Sequence, residues 1–208
     1  MTTRRSVQES AQAQKERIHA RDLADGEPLA NAPADPALLF SLREIATLLK
    51  PLMGIDAPRD EGNRILEVRP KGHWFEFEVA KSLGYHYPPG AGLFPDIRNQ
   101  LLEVKHHTGK SVTIDFGHHH PGSKEVLDVR WNEKARARVC DIRYLIALAP
   151  PPAFRVTVMV LATGAEIDSI FGVSPTKTIK YQLGISRQWR EEHAGQILVS
   201  GIPFGEPE

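Results

Sequence analysis

Residues 89–108, PGAGLFPDIRNQLLEVKHHT, concentrate the side chains whose types and spacing could do chemistry. Pro95-Asp96 ends a short strand candidate, LFPDI. A turn is expected at Arg98–Asn99, and Leu101-Leu102-Glu103-Val104-Lys105 then begins a second strand. Side chains alternate faces along a strand, so Glu103 and Lys105 share one side while Leu102 and Val104 enter the core. Asp96, one hairpin away, is close enough to meet Glu103. Two carboxylates converging with one ammonium form an oxygen-rich site for Mg²⁺, which takes carboxylates, waters and substrate phosphate oxygens. Lys105 could then orient or help deprotonate an attacking water and offset charge building on phosphorus. Charged residues alternating on one strand face also describe an ordinary solvated face. The Pro-Asp six residues upstream, the Gly-rich approach and a preceding helix with an inward acid separate this segment from that reading.

That helix is HWFEFEVAKSLGY, residues 73–85, and it offers two glutamates. Glu76 shares a face with Val79, Ala80 and Leu83, at offsets of three, four and seven. The face must pack on the sheet, which turns Glu76 toward the carboxylates. Glu78 lies about 200° round the helix and is expected in solvent.

Pro95-Asp96, a six-residue gap, then Glu103-Val104-Lys105 resembles the active-site signature of the PD-(D/E)XK nuclease superfamily, which includes many type II restriction endonucleases. Phe75-Glu76-Phe77-Glu78-Val79-Ala80-Lys81-Ser82-Leu83-Gly84 is similar to the family's helix pattern, F-E-x-x-V-A-x-x-L before a glycine. The order of elements over 73–172 resembles the family core, a helix leading into a β-meander and then helix and strand. The tail, VMVLATGAEIDSIFGV followed by TIKYQLGISRQWREEHAG, looks like that of some bacterial restriction endonucleases. The resemblance implies a Mg²⁺-dependent endonuclease that leaves a 5′-phosphate, with Asp96, Glu103 and Glu76 as metal-binding acids and Lys105 acting on the water.

The remaining elements must position these groups. Residues 1–25 are polar and free of proline, read as a solvated helix; 24–36 read as a linker. In PALLFSLREIATLLKPLMG, Leu38, Leu42, Ile45, Leu48 and Leu49 recur at helical steps, and Pro51 and Gly54 close the helix. A short strand is expected at RILEV, then QLLEVKHH and SVTIDFG as strands. RWNEKARARVCD (130–141) reads as a helix, RYLIALA (143–149) as a fully buried strand, and RVTVMVLA (155–162) as another. GAEIDSIFG (164–172) reads as a short helix and ILVSGIP (197–203) as a last strand. The expected fold is α/β (α+β): a restriction-endonuclease-like core with a mixed central sheet flanked by helices. An N-terminal extension and linker, 1–35, would precede a nuclease domain spanning 36–208.

Composition bounds the function. The 208 residues are 41% hydrophobic, enough for one domain of ordinary size. Lys+Arg 26 balance Asp+Glu 26, which excludes a blanket polycation but not a local basic groove. Cys140 stands alone, so no disulfide framework or cysteine zinc site is expected, and a reducing cytoplasm fits. No apolar run approaches the roughly 18 residues needed to span a bilayer, and the N-terminus lacks a signal-peptide core. No Gly-rich phosphate loop supports nucleotide hydrolysis or a nucleotide cofactor, and no Ser sits in a G-x-S-x-G context.

From Ser174 to Arg190 the charged residues are Lys177, Lys180, Arg187 and Arg190, interleaved with Tyr181 and Trp189. This segment is expected to meet nucleic acid, since phosphate binding needs positive charge to displace counterions. Arg187 and Arg190 could read base edges, and Lys177 and Lys180 could contact phosphates. A second basic region comprises Arg130, Lys134, Arg136, Arg138 and Arg143, diluted by Glu133 and Asp141. His118, His119 and His120 are adjacent and cannot all face one metal from a strand, so a solvated or DNA-contacting loop is expected there. His119 with Asn132 makes a weak HNH pattern, because the next histidine is His193. Asp115 is expected at the surface.

These readings converge on a Mg²⁺-dependent type II restriction endonuclease acting on double-stranded DNA, a homodimer if its site is palindromic. The alternatives are a repair or mobile-element nuclease of the same fold, and a non-catalytic DNA-binding protein.

Overall fold

The computed structural model describes residues 8–16, 34–85, 94–108, 111–114, 120–130, 135–171 and 181–205. Helix α1 (residues 8–16) is followed by α2 (Leu42–Leu49) and α3 (Val68–Leu83). Then come strands β1 (Leu102–His107), β2 (Ser111–Ile114), β3 (Val126–Arg130), β4 (Arg136–Arg138), β5 (Arg143–Leu148) and β6 (Val158–Thr163). Helix α4 (Ile167–Phe171), β7 (Tyr181–Gly184), α5 (Arg187–Glu192), β8 (Gln196–Val199) and β9 (Ile202–Pro203) complete the order.

Five strands form a central sheet in the order β1-β5-β6-β8-β9. β1 and β5 are parallel, as are β6 and β8, while β5/β6 and β8/β9 are antiparallel. The fold is therefore mixed α/β with a mixed central sheet, as composition and periodicity indicate. Every residue of β5 is buried, and alternation sends its side chains into two apolar layers. Leu145 and Ala147 join Leu102 and Val104 of β1 against Ile45 and Leu49 of α2 and Phe75, Val79 and Leu83 of α3. Tyr144, Ile146 and Leu148 enter the opposite layer, roofed by Val112, Ile114 and Leu183 of the β2–β7 ribbon and by Val129 and Ala137 of the β3–β4 ribbon.

Several local expectations change. The helix expected over 36–53 is divided by Ser41, whose hydroxyl accepts from Glu44 N–H at 3.2 Å while the Glu44 carboxylate accepts from Ser41 N–H at 2.6 Å. This capping box starts α2, and residues Pro36–Leu38 form a separate 3-10 turn capped by Asp35. α3 begins at Val68 rather than 73, because Pro70 falls in the first turn, where its missing N–H has no helical acceptor to lose. Gly84, at φ 90°, closes α3 in a conformation glycine adopts freely. RILEV contributes only an isolated Arg59–Ile65 bridge. LFPDI is not a strand either: Ile97 pairs with Leu102 around a 3-10 turn, Arg98–Gln100.

Among the described residues the expected β-meander does not form, since β2 pairs with β7. The helix expected over 130–141 is overturned at Arg130 and over 135–141, residues 131–134 lying outside the described ones. Val129 and Ala137 are buried while Val126, Asp128, Arg130, Arg136 and Arg138 are exposed, a period of two that packing against the sheet imposes over the helix propensity of Glu, Lys, Ala and Arg. ILVSGIP makes two strands, joined by Ser200 (φ 52°) and Gly201 (φ 83°), the positive-φ pair a tight hairpin requires. α1 is not a freely solvated helix. Its Ala11 and Gln14 are buried, and Lys15 Nζ donates to the Ser82 carbonyl at 3.0 Å. Among the described residues no helix is long and apolar enough to cross a membrane.

Candidate functional site

Because β1 is the edge strand of the central sheet, part of its backbone points outward with no neighbouring strand to receive it. The segment before it fills that edge. Ile97 N–H donates to Leu102 O at 2.9 Å and Leu102 N–H returns to Ile97 O at 3.1 Å. One step further, Val104 N–H donates to Asp96 Oδ2 at 2.8 Å, and Asp96 N–H donates to Glu103 Oε2 at 3.2 Å. The carboxylate of Asp96 thus stands where a paired strand's carbonyl would be. Lys105 Nζ lies 2.6 Å from Glu103 Oε1. Asp96, Glu103 and Lys105 therefore form one continuous cluster along the outer edge of β1.

Glu103 is 4% exposed, so its strand face is not an ordinary solvated one. In the parallel pair it stands beside Tyr144, and Lys105 beside Ile146, so both project into the second apolar layer. α3 packs on the opposite face. Glu76 nonetheless adds to the site's charge: burial, then the Glu103 carboxylate, then the Glu76 carboxylate push Asp96 up to about 9. Burial also raises Glu103, opposed by Lys105. Burial thus favours the protonated form of both carboxyls. Glu78 is half-buried, and among the causes of the Asp96 shift only Glu76 appears from α3.

The turn between the two acids is fixed from beneath by a network that the sequence pattern did not disclose. Gln100, 0% exposed, accepts through Oε1 from Phe40 N–H at 3.0 Å and from Arg143 Nη2 at 2.9 Å. Its Nε2 donates to Leu38 O at 2.9 Å and to Tyr85 Oη at 2.6 Å. Arg143 also donates to the carbonyls of Gln100 and Phe40, and burial lowers it to about 10. The guanidinium expected in a basic surface is thus an internal tie. His73, also unforeseen, places Nδ1 3.2 Å from Glu76 Oε2, the three-residue helical spacing being the signal that could have found it.

Other candidates separate from the cluster. His106 packs on Phe75 with ring centroids 5.1 Å apart, and burial, then Lys71 and His107, lower it to about 4, so it is a neutral aromatic wedge. His120 pairs with Asp168 at 2.6 Å. His118, His119, Asp115, Asn132, Lys134, Lys177 and Lys180 lie outside the described residues. Arg187 is ion-paired with Glu191 at 2.7 Å, Gln188 bonds Glu192, and Arg190 is half-buried. The two glutamates that follow the basic window fold back along its helix, Glu191 neutralising Arg187 and Glu192 accepting from Gln188.

Among the described residues no group of three or more His, Cys, Asp or Glu side chains is arranged to hold a metal ion. The donor chemistry of Asp96 and Glu103 still fits a hard divalent cation. Both offer only carboxylate oxygens, both are desolvated, and Mg²⁺ commonly takes one or two carboxylates, completing its shell with water and substrate phosphate. Comparison of the chain with protein-family models, with curated proteins and with solved structures gave no match.

Proposed function

We propose that the chain is a Mg²⁺-dependent DNA endonuclease of the PD-(D/E)XK type, a restriction-endonuclease-like core cutting a specific double-stranded site as a homodimer. One observation carries this reading: Asp96, Glu103 and Lys105 meet along the outer edge of β1, with Glu76 close enough to raise Asp96. Crowded, desolvated carboxylates repel one another, an arrangement that a cation relieves. Asp96 and Glu103 would hold it, with Glu76 beside them. Bound there, Mg²⁺ would polarise a phosphoryl oxygen and stabilise the charge of an in-line displacement. The chain's own contribution is positional. Glu103 holds Lys105 Nζ at 2.6 Å, which keeps an ammonium ready to orient a water and to offset charge on the phosphate. The backbone of Val104 fixes Asp96 on the same edge.

The test is digestion of plasmid DNA in Mg²⁺ and in EDTA, with sequencing of fragment ends. Discrete fragments bearing 5′-phosphates, formed only with Mg²⁺, are expected. Intact plasmid under both conditions would refute the nuclease reading, and structure-dependent nicks would move it to a repair enzyme of the same fold.

A further inference from the structure

The β3–β4 ribbon carries charge in an arrangement that folding alone does not favour. Its strands, VLDVR and RAR, hold three arginines against one aspartate. Arg130 and Arg136 are paired directly across the ribbon, and like charges so placed destabilise a strand pair. Arg138 projects from the same exposed face, two residues along. Asp128, 3.7 Å from Arg136, is itself 95% exposed and offsets little of this charge.

The other face of the ribbon locates it. Val129 and Ala137 are buried in the layer that contains Tyr144 and Ile146, the residues beside Glu103 and Lys105. Ribbon and reactive side chains are therefore on the same side of the central sheet. The base is fixed: Val139 N–H donates to Glu125 O and Cys140 N–H to Ser123 O, both at 2.9 Å. Gly164 comes so close to the Pro121 and Val139 carbonyls that a side chain has no room there. An anchored two-stranded ribbon matches the width of the DNA major groove, and guanidinium forks bond both phosphates and guanine edges.

We propose that the arginine face of the β3–β4 ribbon is the surface that holds double-stranded DNA beside the Glu103–Lys105 edge. The inference rests on the nuclease reading for its choice of polyanion, but its test does not require cleavage. Binding of a mixed-sequence duplex to the full chain is measured by fluorescence anisotropy in EDTA across a salt series. The variants are Arg130→Ala, Arg136→Ala, Arg138→Ala and their triple combination, with the corresponding glutamine triple in case the alanine triple does not fold. Arg64→Ala, at a guanidinium paired with Asp60 at 3.0 Å on the loop before α3, is the control. Each lost phosphate contact lowers the slope of log K against log salt by about 0.9, so the triple variant should lose about 2.7. Arg64→Ala should bind as the parent does. Unchanged affinity and slope in a folded triple variant would overturn the proposal, as would absence of duplex binding by the parent, or ribbon-dependent binding confined to single strands. Ribbon-dependent duplex binding without any Mg²⁺-dependent cutting would refute the nuclease reading and leave this inference standing.

Discussion

Replacing Asp96 with asparagine should abolish cleavage and stabilise the protein. In the native state burial and the neighbouring carboxylates raise the Asp96 carboxyl from 3.8 to about 9. The folded protein therefore binds a proton that the unfolded chain releases above pH 4, and the stability tied to that proton is complete below the unfolded value. It is lost progressively as pH rises, until Asp96 ionises in the folded state as well, near pH 9. Each pH unit corresponds to about 1.4 kcal/mol, so at pH 7 the penalty has a ceiling of about 4 kcal/mol. Asparagine has no such penalty. Its carbonyl can still accept from Val104 N–H, and its amide can donate toward Glu103. For a chain of this size each kcal/mol moves the melting temperature by about 2–4 °C. The assay is thermal unfolding in EDTA from pH 4 to pH 9. The parent should melt at progressively lower temperature toward pH 9, and Asp96→Asn should be flatter and higher at pH 7. Added Mg²⁺ should stabilise the parent by mass action and leave the variant unmoved. A variant less stable than the parent at pH 7, or one with the parent's pH profile, would refute this reasoning.

Gln100→Ala should destabilise the fold by roughly 4 kcal/mol in denaturant titration, since it removes four side-chain hydrogen bonds, three of them buried, at about 1 kcal/mol each. Gly164→Ala should also lower the melting temperature, because the new methyl would press on the Pro121 carbonyl and lie 3.0 Å from the Val139 carbonyl; an unchanged melt would show that the ribbon's base yields. Glu76→Ala should impair cleavage more than Glu78→Ala in matched Mg²⁺ titrations, and the reverse order would move the helix acid to Glu78.

The sequence makes the candidate edge legible because its signals are local. Strand alternation around Glu103 and Lys105, with a turn of a few residues back to Asp96, needs no knowledge of distant pairing. The helical stripe of Val79, Ala80 and Leu83 is legible for the same reason. Hidden from it are contacts between remote segments. Nothing near Gln100 announces that Phe40 and Arg143 close on its side chain from 60 and 43 residues away. Nor does ARAR declare itself a strand until Val129 and Ala137 find the sheet. The same limit explains β2, whose partner β7 is distant in sequence. The basic tail differs: Glu191, one residue beyond the window, pairs with Arg187 at the local four-residue helical spacing, a signal that a window ending at Arg190 leaves out.

Cleavage and binding measured side by side on Asp96→Ala, Glu103→Ala and Lys105→Ala test the central claim most directly. Plasmid cutting in Mg²⁺ should be lost in all three while duplex affinity in EDTA stays near that of the parent, because the cluster acts on one phosphate and binding is spread over many contacts. Parental cleavage rates in any one of these variants, with the protein folded, would contradict the assignment of chemistry to the β1 edge.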